Sequence, residues 1–301
     1  MPQTKFNTVR DFLRYAVSEF RKNNLFFGHG TTNAYDEAVC LILQSLHLPI
    51  DQLEPYLDAQ LLDEEKSLIL ARIKQRVEER IPLPYITNEA FLQGYSFYVD
   101  KRVIIPRSFI AEIILNDKLM PWIEHPELVH SALDLCTGNG SLATIMADYF
   151  YDAEVVASDI SDDALEVAKI NFKRNQVSEE ITLLKSDLFN ELEDYQGQFD
   201  LIVTNPPYVD KRRMLSLADE YKFEPGLALA GGESGLELVE AILHEAKYYL
   251  SEFGVLIVEM GDNRFELEEL YPDLPFTWLE TISGDGVVFV LTRADLADYF
   301  D

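Results

Sequence analysis

From Ala132 onward the chain alternates short β-branched runs with longer stretches of helical period, an order that few folds accept. ALDLCT (132–137), EVVASD (154–159), ITLLKSD (181–187), FDLIVTN (199–205) and GVLIVEM (254–260) read as strands. Among them SLATIMADYF, DDALEVAKINFKRN and GLELVEAILHEAKYYL carry apolar residues at helical spacing. Strands that are apolar throughout suit a sheet covered on both faces, so the fold class expected is α/β with a mostly parallel sheet. The closing PFTWLETI and GVVFVLTR predict an antiparallel hairpin at its end, which makes seven strands.

Residues 1–85 follow another period. Val9, Phe12, Leu13, Ala16, Val17 and Phe20 recur at spacings of three and four, one apolar helix face. A second helix is expected from Asn33, a good N-cap with Asp36 three residues on, turning Ala38, Val39, Ile42 and Leu46 inward before Pro49. A third runs from Asp63 to Arg80, with Ile69, Ile73 and Val77 in register and Pro82 and Pro84 ending it. EAFLQGYSFYVDKRVIIPR (89–107), aromatic and β-branched with Gly94 as punctuation, predicts a two-stranded hairpin. The organisation expected is a small helical domain over 1–85, a hairpin linker over 86–107 and the α/β domain over 108–301.

The glycine loop after the first strand narrows the chemistry. Asp134-Leu135-Cys136-Thr137-Gly138-Asn139-Gly140 joins a strand to a helix, where two glycines let backbone approach a bound molecule. Gly138, Gly140 and Ala143 also satisfy the dinucleotide pattern G-x-G-x-x-A, with Asp159 suitably placed. Asp134 argues against that ligand, because a carboxylate beside the loop repels a pyrophosphate and suits an ammonium group. Asp159 ends the second strand and can accept both hydroxyls of a ribose. Asp187 ends the third and can accept an adenine amino group, with Leu188 packing on the ring. Three acids at three successive strand ends fit a cationic sulfonium nucleoside, S-adenosylmethionine.

After the fourth strand stands TNPPYVD (204–210). Proline has no N–H, fixes its own φ and pushes the preceding residue out of the helical region. Asn205 is therefore held extended, and the carbonyls of Asn205 and Pro206 lack the usual ladder or helix partners.

Composition removes several function classes. With 25 Lys and Arg against 53 Asp and Glu, the net charge is −28, the wrong sign for gripping a nucleic-acid backbone and the right sign for a basic protein partner. No apolar run approaches the roughly 18–20 residues of a membrane span, and the start of the chain lacks a signal-peptide pattern. Cys40 and Cys136 make no disulfide framework, and the five histidines (29, 47, 125, 130 and 244) show no metal-ligand spacing. The cytoplasm is the expected location, and no metal is expected.

DLCTGNG, SDIS, SDLF and NPPY, in that order, resemble the class I S-adenosylmethionine-dependent methyltransferases, a Rossmann-like fold. Asn-Pro-Pro-Tyr is shared by members that methylate planar nitrogens: DNA adenine and cytosine amino methyltransferases, some RNA enzymes and the glutamine methyltransferases of the HemK family. Val103-Ile-Ile-Pro-Arg107 and EPGLALAGGESGLE (224–237) are similar to the HemK family's own segments. Within that family, Gly28-His29-Gly30-Thr31-Thr32-Asn33-Ala34-Tyr35-Asp36-Glu37-Ala38 and Pro106-Arg107-Ser108 resemble the branch acting on large-subunit ribosomal protein L-three. Members acting on peptide-release factors tend to carry an acid after the Pro-Arg pair. The resemblance extends to GDGVVFVLTRADL (284–296), and one departure is Cys136, where many methyltransferases have glycine.

What the resemblance implies is a protein-glutamine N-methyltransferase that uses S-adenosylmethionine and releases S-adenosylhomocysteine. The partner is basic ribosomal protein L-three, recognised by the helical domain, with no direct DNA binding and no membrane. The alternatives are a release-factor glutamine methyltransferase and a nucleic-acid amino methyltransferase. The cofactor is expected on Asp134, Cys136, Thr137, Gly138, Asn139, Gly140, Asp159, Asp187, Leu188 and Asn205. Asn205 and Pro206 accept the two N–H bonds of the substrate amide, Pro207 stiffens them, and Tyr208 lies on the flat amide.

Overall fold

Helix α1 (Val9–Lys22) opens the computed structural model, which describes residues 6–282 and 286–300. Thr8 and Asp11 cap it reciprocally, each side chain taking the other's backbone N–H. Asn33 caps α2 (Ala34–Ser45), its side-chain oxygen accepting from the N–H groups of Tyr35 and Asp36. Helices α3 (Asp63–Glu78) and α4 (Leu83–Thr87) follow. These four elements belong to one compact unit, Met1–Ala90, which also takes in Ala218–Phe223. Phe12, Ala16, Phe20, Ala38, Leu41, Ile42, Ile69 and Ile73 form its core.

Val17, Val39, Leu46 and Val77 are only partly buried at the edge of this core, while Leu41 is fully inside. Helix α3 stops at Glu78, Arg80 turns left-handed at φ 57°, and Pro84 sits in the first turn of α4. Arg76 of α3 is wholly buried. Its Nε donates to Glu37 Oε1 at 2.6 Å, Nη1 to Glu220 Oε1 at 3.3 Å and Nη2 to the Phe26 carbonyl at 2.7 Å. His29 is buried in the same unit, its ring centroid 4.5 Å from that of Tyr221.

The chain then passes through a hairpin of β1 (Ala90–Leu92) and β2 (Tyr95–Phe97), turned at Gln93 and Gly94, which both have positive φ. The hairpin is shorter than expected: Val103–Arg107 is not a strand. Pro106 cannot donate to a ladder, and the N–H of Ile105 goes instead to the Glu224 carboxylate.

The second unit, Phe91–Leu217 with Glu224–Asp301, is built on the expected seven-stranded sheet. Its elements run α5 (Ile110–Leu115), β3 (Ser131–Leu135), α6 (Ser141–Tyr149), β4 (Glu154–Asp159), α7 (Asp162–Arg174), β5 (Ile181–Lys185) and β6 (Phe199–Thr204). Then follow α8 (Lys211–Met214), α9 (Glu237–Tyr249), β7 (Leu250–Glu259), α10 (Arg264–Leu270), β8 (Thr277–Leu279), β9 (Val288–Thr292) and α11 (Arg293–Phe300). Of the GDGVVFVLTRADL stretch, Gly284 and Asp285 lie outside the described residues.

Strand order is β5-β4-β3-β6-β7-β9-β8, parallel except for β9, which runs antiparallel to both its neighbours. Successive side chains leave a strand on opposite faces, so each strand feeds two cores. Leu201, Val203, Val255 and Ile257 face α5, α6 and α7, whereas Ile202, Leu256, Val258 and Phe289 face α9, α10 and α11. From β3 the chain winds outward to β4 and β5, then returns to lay β6 on the other side of β3. That reversal opens a crevice at the carboxyl ends of the strands.

Candidate active site

The crevice holds a cavity of about 330 Å³, and four adjacent strand ends form its floor. Leu135 to Asn139 follow β3, Asp159 to Ser161 follow β4, Ser186 to Leu188 follow β5, and Asn205 and Pro207 follow β6. Residues 102–108 and the stretch from Pro225 to Gly232 close its sides. Arg107 joins the two closing segments through a bidentate pair, Nη1 to Glu224 Oε1 at 2.6 Å and Nη2 to Oε2 at 2.8 Å.

The loop after β3 turns through left-handed backbone at Cys136 (φ 63°), Gly138 (φ 56°) and Gly140 (φ 79°). The Cys136 position thus favours glycine, which accounts for the residue many methyltransferases place there. Burial pushes the Cys136 thiol up, so it serves as a neutral packing group. Asp134 stands behind this loop at 1% exposure and is not itself on the cavity wall. Its Oδ2 accepts from Thr137 Oγ1 at 2.6 Å and from the Ala143 N–H at 2.9 Å, which ties the loop to α6. Its Oδ1 is buried and finds no donor among the described residues. Burial pushes this carboxyl up to about 7, against the pull of the Thr137 and Ala143 hydrogen bonds.

Asp159 is on the wall, and each of its oxygens already takes one backbone N–H: Gly138 at 2.9 Å and Ser161 at 2.9 Å. Burial raises its carboxyl above the ordinary range. A carboxylate oxygen has more than one acceptor direction, so both keep room for a hydroxyl donor. Asp187 and Leu188 lie further along the same wall, beyond the end of β5.

The tetrad occupies the opposite side. Asn205 and Pro207 face the cavity, while Pro206 is buried and, like Tyr208, is not part of the wall. Its backbone is closely held: a Cβ on Gly231 would meet the Pro207 carbonyl oxygen at 2.7 Å, and one on Gly261 would meet the Tyr208 ring at 2.6 Å. Asn263 Nδ2 donates to the Tyr208 carbonyl at 2.8 Å.

Reading the sequence did not single out Glu259. It ends β7 at 2% exposure, accepting Ser108 Oγ at 2.6 Å and the Phe109 N–H at 2.8 Å on Oε2, and Asn205 Nδ2 at 3.1 Å on Oε1. Burial pushes it up to about 7, opposed by the Ser108 hydroxyl, the Phe109 and Ile110 N–H groups and Arg107. The signal was present: an acid closing an apolar strand, the same pattern that marked Asp134 and Asp159.

The methyltransferase small domain family matches residues 117–221, which span strands β3 to β6 and the tetrad. A protein of Neisseria gonorrhoeae called ribosomal protein uL3 glutamine methyltransferase is 55% identical over 292 residues, covering 97% of this chain and 96% of that one. One of the same name from Burkholderia pseudomallei is 48% identical over 298 residues, 97% of each chain. The chain belongs to the uL3 glutamine methyltransferase family. Another member, from Francisella tularensis, is 45% identical and covers 98% of this chain and 93% of its own. Kinship of that extent takes in the helical unit as well as the sheet, so the family is defined by both.

Proposed function

We propose that this protein transfers a methyl group from S-adenosylmethionine to the side-chain amide nitrogen of a glutamine in ribosomal protein uL3 (L-three). The substrate rests on near-full-length kinship with proteins bearing that name. One observation carries the chemistry: the Asn205 amide stands on the cavity wall with its nitrogen tied back to Glu259.

The donor set fits this cofactor. Asp134 Oδ1, buried without a donor, lacks what the cofactor's ammonium group brings, and the loop from Cys136 through Thr137, Gly138 and Asn139 encloses that end, while the expected contact at Gly140 is not on the wall because that glycine packs against Phe172. Asp159 receives the ribose hydroxyls, Asp187 the adenine amino group, and Leu188 the ring face. Bound there, S-adenosylmethionine supplies an electrophilic methyl on a sulfonium sulfur. The same acids disfavour a dinucleotide pyrophosphate.

An amide nitrogen is a weak nucleophile because its lone pair is shared with the carbonyl. Asn205 Oδ1 and the Pro206 carbonyl accept the two N–H bonds of the glutamine amide and so orient it. Both bonds strengthen as the nitrogen gains positive charge, which lowers the barrier selectively. Pro207 and the glycine contacts hold the acceptors still, and Tyr208 covers the flat amide. Transfer of that methyl to the amide nitrogen would leave S-adenosylhomocysteine, and the nitrogen would then give its extra proton to water. No base is needed beforehand. Most of the acceleration comes from positioning.

The net charge of −28 supports a basic protein partner over DNA, and a ribosomal substrate puts the activity in the cytoplasm. No described helix is long and apolar enough to cross a membrane. Purified protein incubated with methyl-labelled cofactor and uL3 should label one glutamine, located by mass spectrometry. Asn205→Ala should abolish transfer while leaving cofactor affinity within about tenfold, the loss of one wall contact. Label on a release factor in place of uL3 would overturn the substrate, and an active Asn205→Ala would overturn the mechanism.

A further inference from the structure

Resting on that reading, we infer that Glu259 is a positioning residue: it turns the Asn205 amide so that Oδ1, not the NH₂ group, meets the substrate. An asparagine amide can rotate by half a turn at little cost, and the two orientations present opposite hydrogen-bond polarity. An acceptor wanted for a glutamine NH₂ must therefore be selected by something behind it.

Glu259 makes the selection because everything around it donates. Ser108 Oγ accepts from the Ile110 N–H at 3.2 Å, which leaves its proton for Glu259 Oε2 at 2.6 Å. The Phe109 N–H, at 2.8 Å from the same oxygen, cannot reverse its role. Both donors sit on Oε2, so once the 2% exposed carboxyl is ionised, above about pH 7, Oε1 is an acceptor only, and only the NH₂ side of Asn205 can face it at 3.1 Å. Asn205 Oδ1 is left without a hydrogen bond among the described residues and is not a buried atom, while its residue lines the cavity. The contact follows from register. Thr204 of β6 pairs with Val258 of β7, so the next residues, Asn205 and Glu259, leave the sheet side by side.

Glu259→Gln keeps the shape and removes the selection. The glutamine oxygen goes to the fixed Phe109 donor, its NH₂ meets Asn205, and Asn205 rotates to present a donor to the substrate's own donor. The expected result is a kcat on uL3 lower by on the order of a hundredfold, as for loss of one oriented transition-state hydrogen bond. The calorimetric affinity for S-adenosylmethionine should stay within about twofold, and the KM for uL3, to which one ground-state hydrogen bond contributes, should change far less than kcat. A second variant separates orientation from folding. In Glu259→Gln/Asn205→Asp, the Gln NH₂ faces a carboxylate that offers an acceptor to the cavity as well, so kcat should recover at least about tenfold over Glu259→Gln.

A Glu259→Gln protein with near-normal kcat, or a loss that the double variant does not recover, would overturn the positioning role. A wild-type protein that labels no glutamine would sink the proposed function instead, a result distinct from either.

Discussion

At the scale of single residues, the contact proposed between Asp134 and the cofactor's ammonium group predicts a pH response of cofactor binding. Its carboxyl is pushed up to about 7, and only the ionised form attracts an ammonium group. Acidification protonates it, so affinity for S-adenosylmethionine should fall as the pH drops below about 7, by up to about tenfold per unit, and level off above. Calorimetry between pH 5.5 and 8.5 reads this directly. An analogue lacking the amino group isolates Asp134 from Asp159 and should show no such fall. An affinity for the intact cofactor that is flat across this range would refute the assignment. Asp134, Asp159 and Asp187 could be placed together from the sequence because each stands at or just past the carboxyl end of a strand of one parallel sheet, and such ends share an edge. Glu259 closes a strand of the same sheet, yet its meaning depends on facing Asn205, 54 residues away, and no local pattern announces that neighbour.

At the scale of elements, the helical unit depends on a charge inside its core. Arg76 of α3 holds Glu37 of α2 and Glu220 of the Ala218–Phe223 segment, all three buried. Glu220 keeps Arg80 at 2.9 Å as a second cation, so removing Arg76 strands chiefly Glu37, a buried carboxylate without its partner, which costs about 3–5 kcal/mol. Arg76→Met should therefore lower the stability of this unit by that amount. Hydrogen exchange within α1 to α3 should accelerate to match, and unchanged protection there would contradict the argument. The helices themselves were legible from capping residues and apolar spacing. Arg76 was not, because a helical wheel places charge on the outside, and only a segment returning from 144 residues later supplies the second carboxylate. The overlong hairpin expected over 89–107 has a similar cause. Val103–Arg107 has strand composition, but its backbone donor at Ile105 is taken by Glu224 across 119 residues.

At the scale of the whole molecule, a net charge of −28 creates a long-range field that attracts a basic protein and is screened by salt. Between about 50 and 500 mM salt, kcat/KM for uL3 should fall about tenfold or more, while the calorimetric cofactor affinity changes little. A kcat/KM for uL3 that ignores salt would argue against electrostatic recruitment. The sequence by itself determined what depends on neighbours a few residues apart: the strand and helix periods, the turn at Gly138 and Gly140, the acids at strand ends, the stiffness of Asn205-Pro206-Pro207. Backbone geometry repeats over two or about four residues, so those features are written locally. Only the tertiary structure decided that β6 lies between β3 and β7, that Thr204 pairs with Val258, and that Glu259 thereby holds the amide of Asn205. Strand order and register arise from the packing of two helical layers on one sheet, and no short stretch of chain carries that information.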